Sequence, residues 1–295
     1  MICLSNKKIV EKVLYGQNET DFNASLLPKS RKEQFKYILK NNWIKLFTMN
    51  MVMFLFFIPV IIYYFMSTQN YKALIQDMKV EEIVASLFAM NLFRYLIVSL
   101  LMMIGFMGLA GGSFVIRKMV FDEVVNVQSD FIKGIKNSYK QFMIFGFLFG
   151  MMIYVLDNSF QYVFLTTNIL PFAKVLLLMT ITLVFIVLTI AFMYMLNLSN
   201  LYVMKTSNII TSSMLLVFKK LFINIGICLI AFIPIFVWLV IPDFLINLIT
   251  ISLLFVFGFS YILLLFVLLS MNSFDEYINK KQYPEFVRKG LSNNE

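Results

Sequence analysis

The chain has no histidine in 295 residues. Imidazole metal sites, Ser-His-Asp triads and histidine proton relays are therefore excluded. It has only two cysteines, Cys3 in a polar leader and Cys228 inside an apolar run. A disulfide between them would join a surface tail to the centre of a hydrophobic segment, and a four-cysteine zinc site is impossible. Charge is scarce as well: 14% of residues are charged, where a soluble domain carries about 25%. No P-loop, no dinucleotide-binding glycine pattern and no CxxC pair occurs. With no catalytic, cofactor or metal signature, the sequence leads us to expect a chain that is not an enzyme.

What is abundant is apolar. Sixty per cent of the residues are hydrophobic and the mean hydropathy is +0.83. A globule of this size cannot hide so much apolar surface, so lipid must be the solvent over much of it. We expect an all-α, polytopic membrane protein. Segments of about 20 apolar residues suit six transmembrane helices. They lie near 46–66 and 95–116, from Gln141 to between Val155 and Val163, between Lys174 and Lys205, near 221–241, and between Asp243 and Asp275. The implied organisation is a leader over 1–42, a six-span domain over 43–274 and a tail over 275–295. The first 42 residues hold no apolar core long enough for a secretory signal.

The net charge of +9 has a pattern. Lys and Arg number nine up to Lys45, five over 117–140, three over 205–220 and four in the tail, against four in the alternating loops (Lys72, Lys79, Arg94 and Lys174). That bias puts both termini in the cytoplasm, and the cytoplasmic membrane is the expected location. It also replaces a nucleic-acid reading of the basic balance, so the bilayer is the expected partner and no nucleic acid is. Trp43, Tyr63, Tyr64 and Trp238 fall where an aromatic belt would put them, while mid-span Tyr261 should face another helix.

A motif recurs before the odd-numbered spans: Lys45-Leu46-Phe47, Lys140-Gln141-Phe142 and Lys220-Leu221-Phe222, spaced 95 and 80 residues apart. The first and third copies stay in register to Pro59 and Pro234. Each copy can follow an amphipathic interfacial helix. Ser30 to Glu33 has the form of a capping box, and Phe35, Ile38, Leu39 and Trp43 share one face, with Lys36 and Lys40 away from it. In the second copy Ser129 or Asp130 can cap. There Phe131, Ile132, Ile135, Tyr139 and Phe142 form the apolar face, with Lys133, Lys136 and Lys140 outward. The expected architecture is three units, each an interfacial helix followed by a helical hairpin.

The stretch "GGSFVIRKMVFDEVVNVQSDFIKGIKNSYKQF" resembles the signature loop of the YesL-like bacterial membrane proteins. Gly108, Gly111, Arg117, Lys118, Asp122, Glu123, Phe131, Lys136, Asn137, Tyr139, Lys140 and Gln141 match its small-residue run, basic pair, acidic pair and Lys-Asn-aromatic-Lys-Gln helix. Asn42-Trp43, Ile58-Pro59-Val60 and Tyr154 with Asp157 resemble other parts of that family. Residues 67–104 lengthen the first hairpin beyond its usual turn. The resemblance implies six spans and a place beside carbohydrate uptake systems, but no activity.

The candidate residues for contacts with a partner or with lipid are Arg117, Lys118, Asp122, Glu123, Lys133, Lys136, Asn137 and Lys140. Asp157 is a polar candidate at the outer boundary, about 24 Å along the helix from Gln141. It has two readings, a contact to a substrate or sugar hydroxyl or an interfacial group in water, and the second is commoner. Arg94 and Lys174 are expected to snorkel outward without a forced partner. Asp243 reads as turn chemistry. Pro59 and Pro234 read as tolerated kinks. The GxxxG pairs Gly108/Gly112 and Gly146/Gly150 favour internal packing over dimerisation. The sequons at Asn18 and Asn23 are discounted as cytoplasmic. The leading expectation is a non-catalytic accessory to carbohydrate uptake or envelope processes, with a transporter or envelope protein as partner. The alternative is a small-solute permease or an ABC permease-like subunit, although no coupling-loop motif is present.

Overall fold

A computed structural model of the chain describes residues 27–76, 78–240 and 244–292. Cys3, the sequons at Asn18 and Asn23, and Asp243 lie outside the described residues, as does the placement of the Trp238 ring. Everything described is helix or connecting turn, with no strand among the described residues. The helices are α1 (Arg31–Ile75), α2 (Val80–Val120), α3 (Val127–Leu165), α4 (Pro171–Leu201), α5 (Thr206–Lys219), α6 (Leu221–Val240), α7 (Phe244–Leu253), α8 (Phe259–Phe274) and the short α9 (Lys280–Gln282). A π-helical turn, Leu254–Gly258, joins α7 to α8.

Among the described residues, five helical stretches are long and apolar enough to cross a membrane: α1, α2, α3, α4 and Leu248–Gln282. A sixth is reached if Thr206–Lys219 and Leu221–Ile235, bent by 96°, count as one broken span. This is the architecture of a helical multi-pass membrane protein. Exposed Phe65, Phe93, Phe164 and Phe172 suit a lipid-facing surface.

The helices outrun the bilayer. At 1.5 Å per residue the 45 residues of α1 reach about 68 Å, against a hydrocarbon core of about 30 Å. The lengthened first hairpin at 67–104 is thus mostly continuous helix, broken only between Ile75 and Val80.

The three junctions carrying the repeated Lys-x-Phe motif differ. In α1 the chain kinks at Asn42 (φ −124°, ψ 19°). In α3 the helix runs straight through Lys140. At Lys220 the chain breaks sharply between α5 and α6. The third break is held by Asn224, whose amide donates to the carbonyls of Leu216 and Val217 (3.3 and 2.9 Å) at the end of α5. These are the acceptors a helix C-terminus leaves without partners.

Capping keeps the Ser30 half of the expected box in α1, with the Glu33 half shifted to Lys29, and departs from expectation in α3. The Ser30 hydroxyl accepts from the Glu33 amide at 3.2 Å, while the Glu33 carboxylate takes the Lys29 amide. In α3 the cap is Asn126, accepting from the Ser129 amide at 3.2 Å, not Ser129 or Asp130.

α2 packs along α3, and glycines permit the approach. A Cβ on Gly134 would lie 2.9 Å from the Ala110 carbonyl oxygen, one on Gly146 2.6 Å from that of Met102, and one on Gly150 2.5 Å from Ser99 Cα. Gly108 and Gly112 face Phe56 and Met53 of α1. Both GxxxG pairs are therefore used inside the chain.

Amides support the remaining irregularity. A π turn leaves backbone groups out of the regular ladder. Buried Asn50 of α1 donates to the Phe255 carbonyl (2.6 Å) and accepts from the Ser260 amide (3.0 Å), closing both gaps. Tyr261 does face other helices: its ring meets Phe35 edge-on and its hydroxyl donates to the Ile230 carbonyl.

Candidate functional site

The lysine-rich end and the far end of the bundle each gather polar side chains. At the far end α1, α2 and α3 converge on Arg94. This residue is buried, not extended outward as expected. Its Nη2 donates to Thr68 Oγ1 (2.7 Å), its Nε to Ser67 Oγ (3.3 Å) and its Nη1 to Asn91 Oδ1 (3.4 Å). The rings of Tyr64, Tyr71 and Tyr95 lie 5.1, 5.4 and 5.0 Å from its guanidinium carbon. A buried cation is tolerated only when acceptors or π faces replace its water. Here neutral oxygens and three aromatic rings do so.

Asp157 stands beside this cage without an ion pair to Arg94. It is half-buried and accepts from the Tyr95 hydroxyl and from Gln161 Nε2, both at 2.6 Å. Its carboxylate is therefore bonded within the protein, while part of its surface stays exposed. Tyr71 donates to Gln161 Oε1 (3.2 Å), and Asn91 donates to Asn158 Oδ1 (2.8 Å), itself bonded to the Tyr154 carbonyl. The whole is a two-branched polar network linking three helices. It presents a fixed cation and a fixed carboxylate close together. Arginine has five N–H donors, and the bonds described use three of them.

At the lysine-rich end the sequence-derived set divides in two. Arg117, Lys118 and Glu123 are engaged inside the chain. Arg117 stacks on Phe114 (4.3 Å) and donates to the Asn200 carbonyl (2.6 Å) in the last turn of α4, where a cation complements the helix dipole. Lys118 binds both oxygens of buried Asp130 (3.0 and 2.9 Å), and Asp130 also accepts the Asn126 amide. Glu123 pairs with Lys289 (2.9 Å). Asp122 is exposed at φ 54° in the connecting turn, and partial desolvation raises its pKa.

Lys133, Lys136, Asn137 and Lys140 form the other half. All are exposed on α3, interleaved with exposed Ile132 and Tyr139. The opposite side of the same helix is locked by Phe131, Gly134, Ser138 and Phe142 against the bundle. Ile132 and Tyr139 therefore do not join Phe131 and Phe142 on one face, as the periodicity suggested.

Beneath this end the C-terminal tail folds back. Gln34 donates to the carbonyls of Val120 (2.7 Å) and Gly290 (3.0 Å). Arg31 bonds Asp275 (2.9 Å) and the Lys289 carbonyl (3.1 Å). Burial lowers the Arg31 pKa and Asp275 opposes the shift. Gly290 has φ +80°, and a Cβ there would lie 1.9 Å from the Val120 oxygen, so no other residue fits.

Sequence reasoning misplaced Arg94 and passed over Asn91, Asn158, Gln161, Gln34 and Gly290. Asparagines inside apolar runs were the available signal for several of them. Among the described residues no three His, Cys, Asp or Glu side chains gather as a metal site needs. Comparisons with protein-family models, with curated proteins and with solved structures find no match for this chain.

Proposed function

We propose that the chain is a non-catalytic, six-span protein of the cytoplasmic membrane, with both termini in the cytoplasm, that docks a partner of an uptake or envelope system. The observation that carries the reading is the outward face of α3. Ile132, Lys133, Lys136, Asn137, Tyr139 and Lys140 stand exposed on a helix whose other side is fixed by packing. Mixed aromatic and basic surface on a rigid helix suits recognition of an acidic or lipid-bound partner. α6, entered through the bend from α5, serves as the fifth span, which makes the span count even and keeps the Lys and Arg bias on one side. The same loop carries the likeness to YesL-like proteins, and membership of that family is part of the proposal. So is descent of the three Lys-x-Phe units from one repeat, their junctions having diverged.

Site-specific photo-cross-linking from position 136 in living cells tests the docking role. The expected result is a discrete adduct lost when Lys133 and Lys140 are changed to glutamate. Absence of any protein adduct from 133, 136 and 140 would sink it. Cysteine labelling of positions 78 and 205 tests orientation, with only position 78 expected to react from outside.

A permease is the second reading, and the Arg94–Asp157 network favours it. A fixed cation and carboxylate at the outer boundary could select a polar solute. Reconstituted vesicles that show no solute flux, alone or with an ATPase subunit, remove it.

A further inference from the structure

A recess of about 320 Å³ opens between α1, α6 and the π turn, lined by Leu39, Trp43, Leu46, Pro234, Leu254 and Phe257. That is the small end of the ~300–1,000 Å³ typical of ligand pockets. Its polar neighbours are turned away from it. The Ser260 hydroxyl donates to the Phe257 carbonyl (2.9 Å) and the Tyr261 hydroxyl to the Ile230 carbonyl (3.2 Å). The recess therefore offers only hydrocarbon to an occupant.

Its rim is basic. Along α1, Lys32 stands one turn before Lys36, Lys36 one turn before Leu39 and Lys40, and Lys40 one turn before Trp43, across the kink at Asn42. All three lysines are exposed, and none has an ion-pair or hydrogen-bond partner among the described residues. The one acid in this segment, Glu33, accepts the Lys29 amide. Trp43 is exposed at 55%, with no hydrogen bond to its indole N–H among the described residues. Lys45 is the last charge before 26 uncharged residues, so this rim sits at the membrane boundary.

An apolar slot topped by free cations and an indole donor has the chemistry of one ligand class. We propose that the recess binds a single anionic phospholipid of the leaflet on the lysine-rich side. One acyl chain lies against Leu46, Pro234 and Phe257, and the phosphate meets Lys36, Lys40 and the Trp43 N–H. Charge complementarity selects the anionic headgroup, because zwitterionic lipid would leave the lysines without a net counter-charge. The inference rests on the membrane reading but not on the docking role of α3.

The chain has two tryptophans, so Trp238→Phe leaves Trp43 as the only tryptophan, excited selectively above the tyrosine absorption band. This variant is reconstituted into vesicles of phosphatidylcholine containing a minor fraction of chain-brominated phosphatidylglycerol or of chain-brominated phosphatidylcholine. Brominated phosphatidylglycerol should quench Trp43 far more strongly, with a roughly fivefold occupancy preference for each lysine engaged. Lys36→Ala with Lys40→Ala should abolish the preference. Leu254→Phe, which fills the recess, should reduce quenching while leaving the lysines in place. Leu39→Phe is the second plug should the first fail to give a monodisperse helical protein. Equal quenching by the two lipids overturns the site. So does a preference that survives both plugs, which would be diffuse attraction without a bound chain. Failure of the protein to float with the vesicles overturns the membrane reading together with it.

Discussion

Three glycine-to-alanine variants separate close helix packing from helix propensity. Gly146 and Gly150 of α3 touch α2 through backbone: the added Cβ would meet the Met102 oxygen at 2.6 Å and Ser99 Cα at 2.5 Å. Gly226 of α6 is also helical, but nothing lies within 4 Å of its would-be Cβ. Ordinary contact begins near 3.4 Å, so at Gly150 the 2.5 Å approach must widen by about 0.9 Å. Backbone cannot swing aside as a side chain can, so the helices must separate or bend. Overpacking of this kind costs about 1–3 kcal/mol. Replacing Gly by Ala inside a helix returns about 0.5–1 kcal/mol through the unfolded chain. That gain is common to all three sites and cancels in comparison. Gly226→Ala should be slightly stabilising, and Gly146→Ala and Gly150→Ala should each fall about 1–3 kcal/mol below it. The double variant should cost little more than the worse single one, because one separation relieves both contacts. Unfolding in mixed micelles followed by circular dichroism measures the differences. Light scattering of the same samples should show one unchanged oligomeric state, since both glycines face inward. Alanine variants at 146 and 150 as stable as Gly226→Ala would refute the packing argument.

Further outcomes follow from the buried amides and the caged cation. Asn50→Leu strips partners from the Phe255 carbonyl and the Ser260 amide, at about 1–3 kcal/mol for each group left unpaired; wild-type unfolding of this variant would refute the π-turn support. Asn224→Asp should destabilise as Asn224→Ala does, because a carboxylate cannot donate to the Leu216 and Val217 carbonyls, and stability equal to wild type would deny the cap. Arg94→Lys keeps the charge but loses the fork that reaches Ser67, Thr68 and Asn91, so thermal stability should drop by about 2 kcal/mol. An unchanged melting curve for Arg94→Lys would mean that only charge matters there.

Long apolar helices were legible because lipid imposes one crude rule, a run of about 20 apolar residues, and five stretches among the described residues, or six with the bent pair, obey it. The junctions were not, although they share one motif. Lys45, Lys140 and Lys220 begin similar words, yet one follows a kink, one lies in straight helix and one sits at a 96° bend. What distinguishes them is tertiary: α3 is held straight by glycine contacts with α2, and the bend before α6 by Asn224. The candidate sites were half legible for the same reason. Lys133, Lys136 and Lys140 are exposed as a lysine stripe should be, but Arg117 and Lys118 are committed to Asn200 and Asp130, which spacing alone cannot reveal. Arg94 was read as snorkelling because its acceptors, Ser67 and Thr68, lie on the preceding helix.

The general signal was nevertheless in the sequence. A carboxamide in an apolar run costs several kcal/mol unless bonded, and water cannot bond it there. Each such asparagine thus demands a partner on another element or a defect in its own helix. Asn50 serves the π turn, Asn91 and Asn158 serve each other, Asn197 reaches Ser270, and Asn224 closes the bend. In a membrane chain the rare amides, more than the charges, mark where the helices meet and where they break.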